Sequence, residues 1–189
     1  KRILIIGSHG MLGQDMVRVF DADQDWEVFA YDRDQIDITQ EESLRAKIEE
    51  VRPSAVINAT GYNAVDKCES DEIEFELAKK INGYGPGMLA KICKEKDIPL
   101  IHFVSDYVFD GEKGEYAETD KPSPISNYGR SKFLGEEEIQ KFADKFYLIR
   151  TSKLFGKPGA SAMSKKSFFD TMIALGKDNS VLKIVDEEK

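Results

Sequence analysis

Short apolar runs rich in isoleucine and valine alternate along the chain with longer stretches in which apolar residues recur at helical spacing. The short runs predict β-strands at 3–6, 27–31, 55–58, 100–104, 146–149 and 181–185. The longer stretches predict helices at 11–20, 42–51, 72–96 and 127–142. Strands that alternate with helices are typical of βαβ units. We therefore expect an α/β fold, a Rossmann-type doubly wound parallel sheet with helices on both faces.

The longest predicted helix, at 72–96, contains an interruption. Gly83, Gly85, Pro86 and Gly87 cluster near its middle. Proline lacks the amide hydrogen that an interior helical position donates, and glycine lowers the stability of a helix. We expect a helix, a break and a second helix across this stretch.

Composition and charge narrow the class of protein. The chain has 189 residues, of which 41% are hydrophobic, enough for one buried domain or one domain and part of a second. Its apolar runs are far shorter than the roughly 20 residues that cross a bilayer, so no membrane contact is expected. A net charge of −8 argues against a nucleic-acid partner, because phosphate binding requires a cationic surface. The N-terminus lacks the pattern of a signal peptide, and we expect a cytoplasmic protein.

Several residues that often carry chemistry receive a structural interpretation instead. Two cysteines without CxxC spacing, Cys68 and Cys93, are expected to be free buried thiols, and no metal site is expected. His102 lies in an apolar run and is expected to pack in a strand. His9 lies in a glycine-rich loop, where its backbone matters more than its ring. The glutamates at 136–138 are expected to form a solvated helix face.

A glycine-rich loop joins the first predicted strand to the first predicted helix. Gly7 allows a tight turn, Gly10 lets the backbone approach a pyrophosphate, and Gly13 lets the helix pack closely on the strand. The start of the helix adds amide donors and a partial positive charge. This context favours a dinucleotide site over a plain strand-to-helix connection. The expected cofactor-binding residues of the loop are Gly7, Gly10, Met11, Leu12 and Gly13.

Two charged residues follow the second predicted strand. Asp32 can accept hydrogen bonds from the adenosine ribose hydroxyls of NAD. The adjacent Arg33 can instead pair with the 2′-phosphate of NADP. Both are expected to bind the cofactor rather than to form only a solvated turn, and the choice between NADH and NADPH stays open.

Tyr128 and Lys132 are four residues apart at the start of a predicted helix, so both side chains project from one face. A nearby ammonium favours the phenolate, and we expect it to lower the pKa of Tyr128 towards the working range of a proton donor. Alone, such a pair is more often an ordinary surface pair. Ser105 follows the fourth predicted strand, at the edge where parallel sheets bind ligands, and makes the pair a candidate active site.

Further motifs are spread along nearly the whole chain. In chain order they are GSHGMLG from Gly7, DIT from Asp37, NATGYNAVDKCE from Asn58, IN from Ile81, VSDYVFDG from Val104, SPISNYGRSKFLGE from Ser123 and RTS from Arg150. Together they resemble the extended short-chain dehydrogenase/reductase family and, within it, the dTDP-4-dehydrorhamnose reductases. The SDYVFDG and AVDKCE segments are much more specific than the glycine loop.

By this resemblance Ser105, Tyr128 and Lys132 form a catalytic triad, and Asn82 anchors a water in the proton relay. The implied reaction is the NADPH- or NADH-dependent reduction of the C4 ketone of a nucleotide-linked 4-keto-6-deoxyhexose. Tyr128 is implied to protonate the new alkoxide, and Lys132 to hold the ribose and tune Tyr128. The product is an activated deoxysugar for cell-surface polysaccharide.

The resemblance also implies binding residues. Beside the cofactor, in addition to Tyr128 and Lys132, these are Asp37 and Ile38 by the adenine, then Ala59, Thr60, Gly61 and Tyr62. Those at the substrate are Ser105, Asp106 and Lys153. Lys153 stands where the reductases usually carry a tryptophan that contacts the nucleotide base, and a lysine there either meets a diphosphate or points to solvent.

The expected domain organisation follows from length, because members of the family are longer than this chain. We expect an NAD(P)-binding Rossmann domain with the catalytic residues at 1–160. Residues 161–189 are expected to form the last helix and strand, leading into a substrate domain that is mostly absent from this chain. A nucleotide-sugar epimerase or dehydratase and a non-catalytic regulatory relative are the alternatives. The expected partner is a nucleotide-sugar substrate, and a homodimer stays open.

Overall fold

The strands of the protein form one parallel sheet. The computed structural model describes residues 1–160, 168–179 and 181–182. Within this part of the chain the strands are β1 (Arg2–Ile6), β2 (Glu27–Tyr31), β3 (Ala55–Asn58), β4 (Leu100–Ser105) and β5 (Phe146–Thr151). They pair in the order β2-β1-β3-β4-β5, and each pairing is parallel. The chain therefore changes its direction of winding after β2, as a doubly wound sheet does.

Helices make the crossovers, because parallel neighbours cannot be joined by tight hairpins. They are α1 (Met11–Asp21), α2 (Glu41–Val51), α3 (Val65–Ser70), α4 (Glu72–Ala78), α5 (Gly85–Glu95), α6 (Asn127–Phe142) and α7 (Phe168–Asp178). A π-helical turn (Lys79–Tyr84) joins α4 to α5, and a 3-10 turn (Asp106–Val108) follows β4. Among the described residues, no helix combines the length and the apolar character that a bilayer crossing requires.

This architecture confirms the predicted Rossmann-type fold and the first five predicted strands, whose ends shift by two residues at most. The predicted strand at 181–185 lies, beyond Leu182, outside the described residues. α7 supplies the helix expected within 161–189. α3 was not predicted, because a helix of 6 residues is too short to show a helical period. The division of the chain after residue 160 stays a prediction.

Two apolar cores pack against opposite faces of the sheet, and β1 contributes side chains to both. Leu4 and Ile6 point to the core that α2, α5 and α6 complete. Ile3 and Ile5 point to the core that α1 covers. Each of these four side chains is at most 2% exposed. Because both faces of β1 are buried, its sequence is continuously apolar rather than alternating.

The predicted break in the long helix is a π-helical turn, and the backbone stays in the right-handed helical region on both sides of it. Pro86 lies at the start of α5, where its missing amide hydrogen costs little. The neighbouring glycine serves packing: a Cβ on Gly83 would lie 2.5 Å from Leu134 Cδ2 of α6. Gly135 makes the reciprocal contact, since a Cβ there would lie 2.2 Å from the Asn82 carbonyl oxygen. The glycines therefore bring the π-helical turn against α6 instead of ending the helix.

Other structural interpretations of single residues are confirmed with one exception. Cys68 and Cys93 are free and buried, and His102 packs inside the sheet with 1% of its surface exposed. The exception is the glutamate run. Glu136 is completely buried, whereas Glu137 is exposed. The expectation of a solvated face was wrong for Glu136, because a partner 14 residues away compensates its charge.

That partner is Arg150 at the end of β5. Its Nε and Nη2 atoms donate to the two Glu136 oxygens at 2.8 and 2.7 Å, a bidentate pair. The guanidinium also lies over the ring of Phe109, 4.9 Å from its centre. The pair fastens the middle of α6 to the sheet at the level of the candidate active site.

We expect Glu136→Ala to lower the free energy of unfolding by about 3–5 kcal/mol, because it leaves a partly buried guanidinium without its counter-charge. Urea unfolding followed by circular dichroism measures the loss. The exposed neighbour provides the control, and Glu137→Ala is expected to stay within about 0.5 kcal/mol of the wild type. Equal losses in the two variants would contradict a structural role for the pair.

Candidate active site

The carboxyl ends of the parallel strands meet at one edge of the sheet, where open α/β sheets bind their ligands. The loops that leave β1, β2, β3 and β4 at this edge contain most of the predicted site residues. α6 brings Tyr128 and Lys132 to the same edge from the side of the larger core. The topology therefore gathers residues from distant parts of the sequence into one cleft.

The loop after β1 requires glycine at two positions. Gly7 has φ +84°, and a Cβ there would lie 3.0 Å from the backbone of Ala59 and Thr60. A Cβ on Gly13 would lie 2.1 Å from the Gly7 carbonyl oxygen. α1 begins after Gly10 with no acidic residue in its first turn and no side-chain cap among the described residues. The start of α1 is thus open to an anion, and the loop fits the predicted phosphate site.

Asp32 is anchored beside this loop. Its Oδ2 accepts a hydrogen bond from the His9 amide at 3.0 Å, and its Oδ1 accepts one from the Arg33 amide at 2.6 Å. The backbone of His9 therefore forms the contact between the glycine loop and Asp32, as expected. Asp32 is held just after β2, where the cofactor ribose is expected. The Arg33 side chain is exposed. Both cofactor forms stay open.

The DIT segment builds a turn between β2 and α2. Asp37 Oδ1 accepts hydrogen bonds from the Thr39 amide and hydroxyl at 2.9 and 2.7 Å. Ile38 is 6% exposed and belongs to the larger core. The contacts of both residues explain the turn, and their place by an adenine stays a prediction.

The contact between two buried polar residues under the loop after β3, Asn58 and His102, was not predicted. Asn58 accepts hydrogen bonds from the Thr60 amide at 3.1 Å and hydroxyl at 2.6 Å, and its Nδ2 lies 3.1 Å from His102 Nδ1. Burial, and then the charge of Lys132, lower the pKa of His102 to about 3, so the imidazole is neutral. This pair joins β3 to β4 and fixes the loop that contains Thr60. The one sequence signal for it was a polar residue at the end of a buried strand.

Asn82 has all three polar contacts of its carboxamide inside the protein. Its Oδ1 accepts the Tyr62 amide at 2.8 Å, and its Nδ2 donates to the Tyr62 carbonyl at 3.1 Å and to Ser131 Oγ at 2.9 Å. The side chain therefore positions the loop after β3 against α6. Its predicted role in a proton relay stays a prediction.

Tyr128 is held at the start of α6 and is 7% exposed. The Ser126 hydroxyl caps the helix, and Glu69 of α3 accepts the Tyr128 amide at 3.1 Å. The Tyr128 hydroxyl donates to Asn63 Oδ1 at 3.3 Å. Burial raises the pKa of Tyr128 to about 12, although the nearby Ser105 hydroxyl acts in the opposite direction. The expected lowering of this pKa was wrong, because burial of the hydroxyl raises it.

Lys132 lies one helical turn further on, with its Nζ 5.8 Å from the centre of the Tyr128 ring. The residue is 5% exposed, and the part of the chain that the structure describes offers its ammonium no hydrogen bond. Burial lowers the pKa of Lys132 to about 8. A Cβ on Gly61 would lie 2.7 Å from Nζ, so the ammonium touches the backbone of the loop after β3.

Ser105 and Asp106 lie at the end of β4, next to Tyr128. Ser105 Oγ accepts the Tyr107 amide at 3.3 Å and donates to Asp106 Oδ1 at 3.1 Å. Tyr107 packs edge-on against Tyr128, with ring centres 5.4 Å apart. Lys153 has a different setting, since its ammonium lies over the Phe168 ring of α7, 5.4 Å from its centre.

The fold and this site define a Rossmann-type α/β protein of the extended short-chain dehydrogenase/reductase kind, with serine, tyrosine and lysine together at the edge of the sheet. Comparison with known families narrows the assignment. The chain belongs to the RmlD substrate binding domain family, whose model matches residues 1–189. The resemblance to dTDP-4-dehydrorhamnose reductases is thereby confirmed.

Individual relatives agree with this assignment. A dTDP-4-dehydrorhamnose reductase of Burkholderia thailandensis is 35% identical over 188 residues, 99% of this chain and 59% of the relative. A solved structure of such a reductase from Clostridium acetobutylicum superposes with a TM-score of 0.90 at 35% identity, covering 100% of this chain and 64% of that one. The Bacillus anthracis reductase in complex with NADP gives a TM-score of 0.86 at 32% identity, covering 95% and 60%. The chain thus spans about three fifths of the relatives it matches.

We expect the buried charge of Lys132 to lower the stability of the ligand-free chain. Its pKa falls from 10.5 to about 8 on folding, so between these values the unfolded state binds more protons, and the free energy of unfolding rises with pH. Lys132→Met removes this rise and is expected to be more stable than the wild type at pH 7, by about 3 kcal/mol at most.

Urea unfolding at pH 7 and pH 10 checks this expectation. The exposed Lys91→Met is the control and should stay within about 0.5 kcal/mol of the wild type. A Lys132→Met variant that is less stable than the wild type at pH 7 would contradict the argument.

Proposed function

We propose that this chain is the cofactor-binding and catalytic part of a reductase. Its substrate is a nucleotide-linked 4-keto-6-deoxyhexose, whose C4 ketone becomes an alcohol, and its product is an activated deoxysugar for cell-surface polysaccharide. One observation carries the proposal. Among the residues that the structure describes, the Lys132 ammonium has no carboxylate partner although it is buried beside Tyr128 and the Gly61 backbone. This arrangement is costly unless a ligand supplies the missing oxygen atoms.

The proposed cofactor is NADPH or NADH, and the loop after β1 fits its pyrophosphate. The amides of Met11 and Leu12 at the start of α1 are the proposed donors, and the glycines at 7, 10 and 13 keep side chains out of their way. Asp32 or Arg33 contacts the adenosine ribose or its phosphate. When bound, the reduced nicotinamide supplies a hydride. The remaining proposed contacts are Asp37 and Ile38 at the adenine, and Ala59, Thr60, Gly61, Tyr62, Tyr128 and Lys132 towards the nicotinamide.

Tyr128 is the proposed proton donor. With a pKa of about 12 it is protonated at neutral pH, and it therefore has the proton that the oxygen of the reduced ketone needs. The C4 carbon gains the hydride, the oxygen gains the tyrosine proton, and a phenolate is left. Lys132 favours that phenolate by its positive charge and holds ribose hydroxyls. A chain of solvent through the region of Asn82 returns the proton.

Ser105 and Asp106 are the proposed contacts of the sugar. Ser105 is close enough to Tyr128 to influence its pKa, so a ketone oxygen that reached both hydroxyls would be held by one and protonated by the other. Lys153 is proposed to meet the nucleotide diphosphate, for which its positive charge is suited. The protein is proposed to act in the cytoplasm, with 1–160 as its cofactor domain, 161–189 leading to the substrate domain, and a homodimer as its assembly.

We expect Tyr128→Phe to lower kcat of the full-length gene product by about 10²–10⁴-fold, because the proton donor is lost while the ring is kept. The loss of NADPH absorbance on mixing with a dTDP-4-keto-6-deoxyhexose measures the rate. The affinity for NADPH, measured by titration calorimetry, should change by less than about threefold, since the ring still packs. If the wild type shows no net oxidation of cofactor but alters the sugar, the protein is an epimerase or dehydratase.

We expect Gly61→Ala to weaken cofactor binding without unfolding the protein. The added Cβ would meet the flexible end of Lys132 at 2.7 Å and displace the ammonium, whereas no backbone atom is that close. Calorimetry should show a loss of NADPH affinity of about tenfold, the value of one charge-assisted hydrogen bond. Gly114→Ala is the control, because a Cβ there meets nothing within 4 Å. Unchanged affinity in Gly61→Ala would count against the proposed place of the cofactor.

A further inference from the structure

Asn63 is a polar residue of the candidate site that lies within the NATGYNAVDKCE segment, but no role was predicted for it. It lies in the short loop between β3 and α3, and its Oδ1 accepts the hydrogen bond of the Tyr128 hydroxyl at 3.3 Å. A Cβ on Gly61 would lie 3.4 Å from the same oxygen and 2.7 Å from Lys132 Nζ. The carboxamide is therefore close to both the reacting hydroxyl and the buried ammonium.

We propose that Asn63 is a further catalytic residue, whose carboxamide fixes the rotation of the Tyr128 hydroxyl so that its proton stays in the cleft until a substrate oxygen replaces the amide oxygen. This inference rests on the proposed function, in which Tyr128 donates that proton. The hydrogen bond to Asn63 Oδ1 gives the Tyr128 hydroxyl a preferred direction. Pre-set orientation of a proton donor lowers the cost of reaching the reacting geometry.

The loop around Asn63 is fastened at several points, so the contact does not depend on a loosely held segment. The backbone of Tyr62 exchanges two hydrogen bonds with Asn82, and the Tyr62 hydroxyl donates to Glu74 of α4. Thr60 is held by Asn58 from below. Asn63 itself is exposed, and its side chain contributes to the cleft rather than to a core.

A carboxamide suits both states of the tyrosine. Its oxygen accepts from the neutral hydroxyl, and its NH₂ group can donate to the phenolate that remains after the proton has left. A carboxylate of the same shape can accept but cannot donate, and its charge opposes the phenolate. An isobutyl side chain of similar size can do neither. The three side chains therefore separate hydrogen bonding from shape.

The other titratable groups near Tyr128 form the background of a titration experiment. They are Lys132 on α6, Cys68 and Glu69 on α3, and Asp106 and Tyr107 of the 3-10 turn. All of them stay in place when only Asn63 is changed. A shift in the titration of Tyr128 thus reports the group at position 63.

The first experiment titrates Tyr128 in the ligand-free chain by NMR, with ¹³C at the ζ carbon of tyrosine and Tyr128→Phe to assign the signal. Asn63→Asp is expected to raise the midpoint of Tyr128 by about one pH unit relative to the wild type, because a carboxylate beside the hydroxyl opposes the phenolate. The exposed Tyr147 is the internal reference, and Asn179→Asp, at the residue that follows α7, is the control variant. An unshifted Tyr128 in Asn63→Asp overturns the proposal.

The second experiment measures ketone reduction by the full-length gene product. Asn63→Leu is expected to lower kcat about tenfold with the KM values for sugar and cofactor unchanged, since orientation of the proton donor acts on the chemical step. Asn63→Asp should also lose rate, and its activity should decline at a pH about one unit higher than that of the wild type. Full activity in Asn63→Leu, or equal losses without a shift in the pH profile, overturns the proposal.

The two arms also separate this inference from the proposed function. A wild type that binds NADPH but never reduces the ketone refutes the proposed function and, with it, a catalytic role for Asn63. If the wild type reduces the ketone and Asn63→Leu does so at the same rate, the role of Asn63 alone is refuted. Far-UV circular dichroism and the thermal midpoint of each variant should match the wild type, because Asn63 is exposed and lies outside helices and strands.

Discussion

The carboxamide of Asn82 joins the three parts that make the site. It binds the backbone of Tyr62 through two hydrogen bonds and the Ser131 hydroxyl through a third, and it is 1% exposed. A buried amide that lost such a partner would cost about 1–3 kcal/mol, so the loop after β3, the π-helical turn and α6 are held in one arrangement. Tyr128 and Lys132 take their places from this arrangement, because Ser131 lies between them on the same helix.

The charged residues of α6 serve opposite purposes. Glu136 is buried against Arg150 and fastens the helix to β5. Lys132, one turn earlier, is buried with no carboxylate partner in the part of the chain that the structure describes, and burial lowers its pKa. The paired charge stabilises the position of the helix, and the unpaired charge is tolerated because the helix is held there. Functional groups are often kept in this way at the expense of stability.

Features that depend on local sequence were predictable. The strands, the fold and the need for glycine at Gly7 and Gly13 follow from apolar periodicity and from the steric requirements of a strand-to-helix turn. Features that depend on distant partners were not. Glu136 looks like a surface residue because its partner Arg150 is on another strand. The pKa of Tyr128 goes up rather than down because of burial, which the sequence does not show. Asn63 was missed since nothing in its own segment reveals that α6 brings a hydroxyl to it.

Two glycines of the site have different consequences for inherited variation. At Gly13 a side chain would collide with the backbone of the turn, which cannot rotate away. A replacement there therefore destabilises the fold and lowers the amount of protein in the cell, whatever its effect on activity. At Gly61 the obstacle is the flexible end of the Lys132 side chain, so a replaced chain can fold and persist at normal levels while the ammonium in the candidate site is displaced. Measurements of protein level in variants would therefore detect the effect of a substitution at Gly13 but not of one at Gly61.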